Sequence, residues 1–344
     1  MPRLDLTASG CTALLTLACT ACSDSRERLA RSAEADTGPS GFHIVTAADF
    51  NGDGLQDVLW NDPVTNRLAV SLLRGTHLLE AGPALPGPRG PGWSAVTAVD
   101  FNLDGFADVP WFSPDTKRAT IWLMEATHLA EPGQPIPGPP GEGWTVGYAG
   151  DFDGDGMGDL LWYNPDRALI SVWLARGTCI FEPGPEIPGP VGPGWTVATA
   201  ADFNLDGTAD VLWSHADTST IAVWLMWGTR VLEAGAPIRS PWGDGWAAIT
   251  GADFNRDGMS DVIWNNPVKN QMAVSLMNGV RMVEAGPAIP GPAGEGWTVG
   301  SAGDTDGDGC ADAMWQNTTT HRFAIWTMNA THVVVPGAEL PGPL

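Results

Sequence analysis

Short apolar runs recur along residues 41–344, and Gly, Pro, Asp or Asn bounds each of them. In residues 194–238 these runs are WTVATAADF, VLW, IAVWLM and RVLEAG, which are rich in β-branched and aromatic residues. Such runs predict short β-strands, and the chain has no long window with a helical period. The pattern therefore predicts an all-β fold, in keeping with 43 Gly and 29 Pro among 344 residues.

The four-strand pattern repeats every 51 residues, and each copy contains a segment such as DFNGDGLQDVLW at 49–60. A Pro/Gly-rich connector, PEIPGPVGPG at 185–194 in one copy, ends each unit. Four short strands in a unit of roughly 40–50 residues predict one propeller blade per unit. We therefore expect a six-bladed β-propeller of four-stranded blades over 41–344, with blades at about 41–91, 92–142, 143–193, 194–244, 245–295 and 296–344.

Each repeat carries an acidic loop with the pattern D-x-[DN]-x-D-G-x-x-D, in which alternate side-chain oxygens can converge on one cation. The Gly at position 6 permits the sharp turn, and an all-oxygen donor set favours Ca²⁺ over Zn²⁺. We expect up to six Ca²⁺ ions, one per blade, with position 7 contributing its backbone carbonyl oxygen. The predicted ligands are Asp49, Asn51, Asp53, Leu55, Asp57, Asp100, Asn102, Asp104, Phe106, Asp108, Asp151, Asp153, Asp155, Met157, Asp159, Asp202, Asn204, Asp206, Thr208, Asp210, Asp253, Asn255, Asp257, Met259, Asp261, Asp304, Asp306, Asp308, Cys310 and Asp312.

The net charge of −23 is concentrated in these loops, which hold half of the 40 acidic residues. A charge of this sign disfavours nucleic acid as a partner, because phosphates would be repelled. Four loops have Asn at position 3, and they should bind Ca²⁺ more weakly than the four-carboxylate loops that begin at Asp151 and Asp304. Partial occupancy of the six loops therefore remains an alternative.

The N-terminal residues suggest export. Residues 8–21 form a weakly apolar stretch that is too short to span a bilayer. The small-residue run that ends at Cys22 resembles a bacterial lipoprotein signal, in which the Cys after the cleavage point is lipidated. We therefore expect a signal peptide at 1–22, a flexible linker at 23–40, and a protein anchored by lipid at the outer membrane or cell surface, or in the periplasm. An ordinary cleaved signal, which would give a secreted protein, and a misassigned start are the alternatives.

The acidic loops, together with the segments ADFNxDGxxDVLW and AVWLM, resemble the FG-GAP/VCBS repeat family, whose members include the integrin α-subunit propellers. The resemblance covers residues 41–344 and looks closest to the secreted and surface proteins of bacteria in that family. It implies that each loop joins the innermost strand of a blade to the next strand and holds Ca²⁺. The chain has six repeats rather than the seven of the integrins and no literal FG-GAP segment, so the resemblance implies no particular ligand.

All 17 Trp residues lie in the repeats. Most recur at equivalent positions, which favours packing between blades, and aromatic platforms for sugars are the alternative. Trp227 and Trp242 break the repeat, and both lie in blade 4. They are therefore the predicted candidates for a surface that faces a ligand.

Catalysis needs an asymmetric set of residues, such as a nucleophile with its base. The sequence has no GxSxG or HExxH motif, and almost every acidic residue belongs to the repeat. We therefore predict a non-enzymatic recognition or adhesion module for glycans or a protein partner. A propeller enzyme with its active site at the central channel, and a purely structural Ca²⁺-binding scaffold, remain the alternatives.

Overall fold

A computed structural model describes residues 41–343, which form six antiparallel sheets arranged as the blades of a β-propeller. The predicted fold class is confirmed, with blades of four main strands and a repeat of about 51 residues. Over residues 41–343 every sheet is built from a single repeat, and no strand in this range is exchanged between the first and last blades. Within the described residues, no helix is long and apolar enough to cross a membrane.

The four main strands of each blade follow one another in the sheet from the centre of the ring outwards. The innermost strands are His43–Ala48, Ser94–Ala95, Thr145–Gly150, Thr196–Ala201, Ala247–Ala252 and Trp297–Gly303. The second strands are Asp57–Asp62, Val109–Ser113, Asp159–Asn164, Asp210–His215, Asp261–Asn266 and Asp312–Asn317. The third strands are Arg67–Arg74, Arg118–Glu125, Leu169–Arg176, Thr220–Trp227, Gln271–Asn278 and Arg322–Asn329. The fourth strands are His77–Ala81, His128–Pro132, Cys179–Pro183, Arg230–Ala234, Arg281–Ala285 and His332–Pro336.

The Pro/Gly-rich connector contributes a further short strand to each blade, which the sequence pattern did not predict. In blade 3, Cys179–Pro183 pairs with one half of the third strand and Ile187–Pro188 pairs with the other half. The outer edge is therefore one interrupted strand, and its Pro residues are tolerated because an edge strand needs amide donors on one side only. These short strands are Leu85–Pro86, Ile136–Pro137, Ile187–Pro188, Ile238–Arg239, Ile289–Pro290 and Leu340–Pro341. A single 3₁₀ turn at Ala216–Thr218 is the one helical element among residues 41–343.

The hydrophobic core lies between the blades, where the second-strand tryptophans are buried. In blade 1, Trp60 Nε1 donates a hydrogen bond of 3.0 Å to Ser71 Oγ on the third strand. Trp264 and Ser275 form the same pair in blade 5. In the other four blades a Trp replaces this Ser, and the two indoles pack with ring centroids 5.2 to 5.4 Å apart. Burial of the second-strand indole is thus combined with either a hydrogen bond or an aromatic contact.

The innermost strands surround a central channel with a cavity of about 470 Å³. Its wall consists mainly of Ala, Gly and Thr, because side chains from six strands converge there. Tyr148 is the bulky exception. It occupies the position that carries a hydroxyl-bearing Thr or Ser in the other blades, namely Thr46, Thr97, Thr199, Thr250 and Ser301.

Candidate metal centres

Each acidic loop joins an innermost strand to the second strand of its blade, so all six loops lie on one face of the ring. In the first loop, the carboxylate of Asp49 accepts hydrogen bonds from the amides of Gly52 at 2.7 Å and Gly54 at 2.8 Å. The side-chain oxygen of Asn51 accepts a bond of 2.9 Å from the amide of Asp53. The same bonds recur in the other five loops. The backbone therefore curls around its own side chains and places alternate oxygens on the inner side.

Two positions of the loop require a left-handed backbone. The Gly at position 6 has φ between +83° and +88° in all six copies. Position 4 is also left-handed, and three blades place there a residue with a side chain, Leu103, Leu205 or Arg256, at φ of +60° to +64°. The left-handed region costs such residues about 1–2 kcal/mol each. The invariant Gly marks this requirement in the sequence at position 6, whereas the mixture of Gly, Leu and Arg at position 4 conceals it.

The Asp at position 9 fastens the loop to the blade. In blade 3, Asp159 Oδ2 accepts a hydrogen bond of 2.9 Å from the amide of Phe152, and Oδ1 accepts one of 2.8 Å from the amide of Ala175 on the third strand. The six position-9 residues are at most 1% exposed. This carboxylate therefore combines a structural role with its predicted role as a metal ligand.

Burial raises the pKa of each position-9 carboxyl to about 7, because the charged form loses its hydration. Hydrogen bonds from backbone amides oppose the increase, and the neighbouring loop carboxylates add to it. The same causes raise the pKa of Asp151 in blade 3. The loops thus bring negative charge into a partly dehydrated space, where a bound cation would stabilise the ionised carboxylates.

Carboxylate oxygens converge most clearly in the two loops that have Asp at position 3. In blade 3, oxygens of Asp151, Asp153 and Asp159 lie within 4.8 Å of one another, and the equivalent trio in blade 6 is Asp304, Asp306 and Asp312. The position-5 carboxylate of blade 3 lies outside this group. Asp155 instead accepts a hydrogen bond of 3.2 Å from Arg176 Nε at the end of the third strand.

The donor set suits a hard divalent cation, because its side chains offer only carboxylate and amide oxygens. The clusters in blades 3 and 6 could hold such an ion. In the four Asn-containing loops, the Asn amide donates to the position-5 carboxylate, as from Asn51 to Asp53 at 3.2 Å. Ligation by the position-7 carbonyl oxygens stays a prediction; the position-7 amides donate to the position-5 carboxylates, as from Leu55 to Asp53 at 2.9 Å.

Backbone hydrogen bonds connect the six loops into a closed ring. The amide at position 8 of each loop donates to the position-1 carbonyl oxygen of the preceding blade, at distances of 2.5 to 2.7 Å. The pairs are Ala107 with Asp49, Gly158 with Asp100, Ala209 with Asp151, Ser260 with Asp202, Ala311 with Asp253, and Gln56 with Asp304. Each candidate site is therefore mechanically linked to its two neighbours.

The two unpatterned tryptophans of blade 4 have different environments. The indole of Trp242 packs against Trp246 and Trp264, and its Nε1 donates a hydrogen bond of 2.9 Å to the carbonyl oxygen of Gly286 in blade 5. Trp227 is 54% exposed and directly follows Met226, whose amide donates to the position-9 carboxylate of its loop. Trp227 is therefore exposed on the loop face, whereas Trp242 fills the interface between blades. Cys22 lies outside the described residues.

The family model described as FG-GAP-like repeat matches residues 49–111, 151–213, 202–264 and 253–315. No curated protein sequence matches the chain.

Solved structures with a similar fold are distant in sequence. The Photorhabdus luminescens Tc holotoxin pore is 16% identical with a TM-score of 0.49, over 87% of this chain and 14% of that chain. The chain thus spans a small part of the holotoxin chain. Hsv2 from Kluyveromyces lactis is 10% identical over 88% of this chain and 100% of its own, with a TM-score of 0.47. Hydrazine synthase from Kuenenia stuttgartiensis is 11% identical over 87% and 80%, with a TM-score of 0.44. None of these likenesses bears on the function of this chain.

Proposed function

This chain belongs to the FG-GAP-like repeat family, and from that premise we propose that it is a non-enzymatic, Ca²⁺-binding propeller that recognises a glycan or a protein partner. The observation that carries the proposal is the convergence of three carboxylates within 4.8 Å in blades 3 and 6, in loops that all six blades share. Loops of this kind in extracellular modules bind Ca²⁺ with a Kd on the order of 10⁻⁴–10⁻³ M. That range fits a protein that works outside the cytoplasm.

The proposed Ca²⁺ would stabilise the ring rather than distinguish one ligand from another, because the loops are nearly equivalent. Each ion would offset two of the three or four negative charges of its loop and fix the position-1 residue whose carbonyl oxygen is bonded to the next blade. Recognition would then depend on residues that differ between blades.

The end of the third strand is such a position on the loop face. Trp227 lies there in blade 4, directly opposite Arg230 on the fourth strand. The other blades carry Arg74, Glu125, Arg176, Asn278 and Asn329 at this position. An exposed indole beside a guanidinium can stack on a sugar ring and donate hydrogen bonds to its substituents. We therefore place the centre of the recognition surface at Trp227.

The carboxylates at the mouth of the central channel favour a recognition role over catalysis there, because they are already engaged in the acidic loops. Asp151, Asp202, Asp253 and Asp304 line that mouth. Each is the position-1 residue of its loop and accepts hydrogen bonds from loop amides, as Asp151 does from Gly154 and Gly156. Carboxylates held in this way and bound to Ca²⁺ would not be available as general acids or bases.

The proposed location follows from Cys22. Lipidation of this residue would anchor the propeller at the outer membrane, on the cell surface or in the periplasm, and cleavage without lipidation would release it. Mass spectrometry of the mature N-terminus distinguishes a lipidated Cys22 from cleavage without lipidation.

A glycan array probed with the full chain, first in Ca²⁺ and then in EDTA, tests the proposed function. We expect Ca²⁺-dependent binding to one class of glycan, and an array of surface proteins serves as the parallel test for a protein partner. Binding to neither array in Ca²⁺ would contradict the recognition role and leave the propeller as a Ca²⁺-binding scaffold.

A further inference from the structure

A cavity of about 540 Å³ lies between blades 2 and 3. Its wall includes Pro114 and Lys117 of the turn after the second strand of blade 2, and Glu142 of the connector that enters blade 3. This turn is at the opposite end of the second strand from the acidic loop, so the cavity opens on the other face of the ring. It is separate from the proposed Ca²⁺ sites and from Trp227.

Phe112 lines the cavity, and it is an apolar residue at a position that four of the other five blades use for a hydrogen bond to the next blade. In blade 1, the side-chain oxygen of Asn61 accepts a hydrogen bond of 3.2 Å from the amide of Ala95 in blade 2. In blade 6, the side-chain oxygen of Gln316 accepts one of 2.7 Å from the amide of Ile44 in blade 1.

Blades 3 and 5 make equivalent bridges. Tyr163 donates from its hydroxyl to the carbonyl oxygen of Trp195, and Asn265 donates to Thr298 Oγ1 at 2.7 Å. The phenyl ring of Phe112 has no polar atom with which to reach blade 3, and it packs edge-on against Trp162 with ring centroids 5.8 Å apart. The cavity between blades 2 and 3 therefore has an apolar floor where four other blades have a polar bridge.

The floor and the rim of this cavity have different chemistry. Phe112, Trp144 and Val146 line the floor and are each about nine-tenths or more buried. The rim carries one positive and one negative side chain, Lys117 and Glu142, which form an ion pair with each other. Their side chains are 51% and 86% exposed, so water screens the charges and the ion pair is weak. A ligand with its own charges could therefore open the pair at little cost.

We propose that this cavity binds a small zwitterionic molecule with an apolar body, of the size and chemistry of an aromatic or branched-chain α-amino acid. The carboxylate of the ligand pairs with Lys117 Nζ, its ammonium group pairs with the Glu142 carboxylate, and its side chain packs on Phe112 and Val146. An apolar floor with a few polar groups at the rim, in a cavity between about 300 and 1,000 Å³, is typical of small-molecule sites. This inference does not depend on Ca²⁺ binding.

Calorimetric titration of the full chain with L-phenylalanine, L-leucine and the uncharged N-acetyl-L-phenylalaninamide tests the proposal. We expect saturable binding of at least one free amino acid at one site per chain, and binding of the uncharged analogue that is weaker by about tenfold or more. Lys117→Gln and Glu142→Gln should each weaken binding of the free amino acid by a similar factor. Both side chains are exposed, so these variants are expected to fold.

Glu295→Gln is the matched control. Glu295 occupies the same place before blade 6, where Asn270 stands in place of Lys117 and Asn265 in place of Phe112. Its replacement should leave binding unchanged, whereas Phe112→Asn should abolish binding. Absence of saturable binding to the unmodified chain, equal binding of the uncharged analogue, or undiminished binding by both the Lys117 and Glu142 variants would overturn the proposal.

Discussion

The amide of Gln56 donates a hydrogen bond of 2.7 Å to the carbonyl oxygen of Asp304, and this bond joins the first acidic loop to the last. The amides of Ala47 and Ile44 add bonds of 3.0 Å to Ser301 Oγ and 2.7 Å to Gln316 Oε1. Among residues 41–343, the continuous chain joins the other five blade boundaries, but no connector joins blade 6 to blade 1. The propeller therefore closes through side-by-side contacts, and the loop of blade 6 is part of the closure.

Loss of the position-1 carboxylate of blade 6 should weaken the contact between blades 6 and 1. We expect Asp304→Asn, in Ca²⁺, to speed hydrogen–deuterium exchange of the amides in His43–Ala48 by about tenfold, because the bound ion no longer fixes the residue that accepts the Gln56 bond. Asp151→Asn is the matched control, since it alters the other four-carboxylate loop in the middle of the chain. Equal exchange of His43–Ala48 in the two variants would show that blade 6 has no special role in closure.

Stability without Ca²⁺ should fall as pH rises. A carboxyl whose pKa is about 7 in the folded protein and about 3.9 when unfolded binds more protons in the folded state between those values. The stabilisation from protonation is complete below the unfolded pKa and is lost as pH rises through the folded pKa. Six position-9 residues act in this sense, whereas burial lowers the pKa of His43, whose titration acts in the opposite sense.

Thermal unfolding in EDTA at several values from about pH 5 to pH 8 measures this dependence. We expect the Tm to decrease across the range in EDTA and to change much less in saturating Ca²⁺, because bound ions keep the carboxylates ionised. A Tm in EDTA that increases steadily with pH would contradict the assignment of these buried groups.

The ion pair between Arg176 and Asp155 should compete with Ca²⁺ in blade 3. Replacement of the guanidinium in Arg176→Gln frees the position-5 carboxylate, so the affinity of this loop for Ca²⁺ should increase, by a factor of about two to five for a pair this exposed. The change in Ca²⁺ affinity is measured from the loss of terbium luminescence as Ca²⁺ displaces bound Tb³⁺. Arg167→Gln is the control, because Arg167 pairs with Glu186 away from the loop. A decrease in Ca²⁺ affinity for Arg176→Gln would refute competition.

Substitution of the two blade 4 tryptophans should separate recognition from stability. Trp227→Ala removes an indole that is 54% exposed, so we expect loss of ligand binding with a change in unfolding free energy under about 0.5 kcal/mol. Trp242→Ala removes packing and a hydrogen bond between blades, and it should cost about 3–5 kcal/mol. Urea unfolding and the glycan array provide the two measurements. Unchanged binding by Trp227→Ala would remove blade 4 from the recognition surface.

The fold was predictable because its signal is repeated six times. One copy of DFNGDGLQDVLW is an Asx-rich turn between two apolar runs, but a constant spacing of 51 residues requires identical units that pack alike. The positions of the acidic loops between the innermost and second strands follow from the same repetition. The short strand at Ile187–Pro188 was not predictable from its composition, because Pro-rich segments pair only where an edge is available.

Much of the candidate site could not be read from residue types. The bond between Gln56 and Asp304 uses backbone atoms, so no residue identity marks it. Trp227 and Trp242 are equally irregular in sequence, and only burial separates them. Phe112 is recognisable in the sequence, since it is apolar where Asn61 and Gln316 are polar. The consequence of this difference could not be predicted, because the hydrogen bonds of Asn61 and Gln316 to the next blade are seen only in the folded structure.

We expect Ca²⁺ to occupy the acidic loops and to stabilise the ring. The most direct measurement is equilibrium dialysis of the metal-stripped full chain against Ca²⁺ up to the millimolar range, with the Tm recorded on the same samples. We predict binding of more than one and up to six ions per chain, with a Tm that rises as the loops fill. Absence of bound Ca²⁺ at millimolar concentration, or a Tm that is the same in Ca²⁺ and in EDTA, would contradict a stabilising role for Ca²⁺ in the ring.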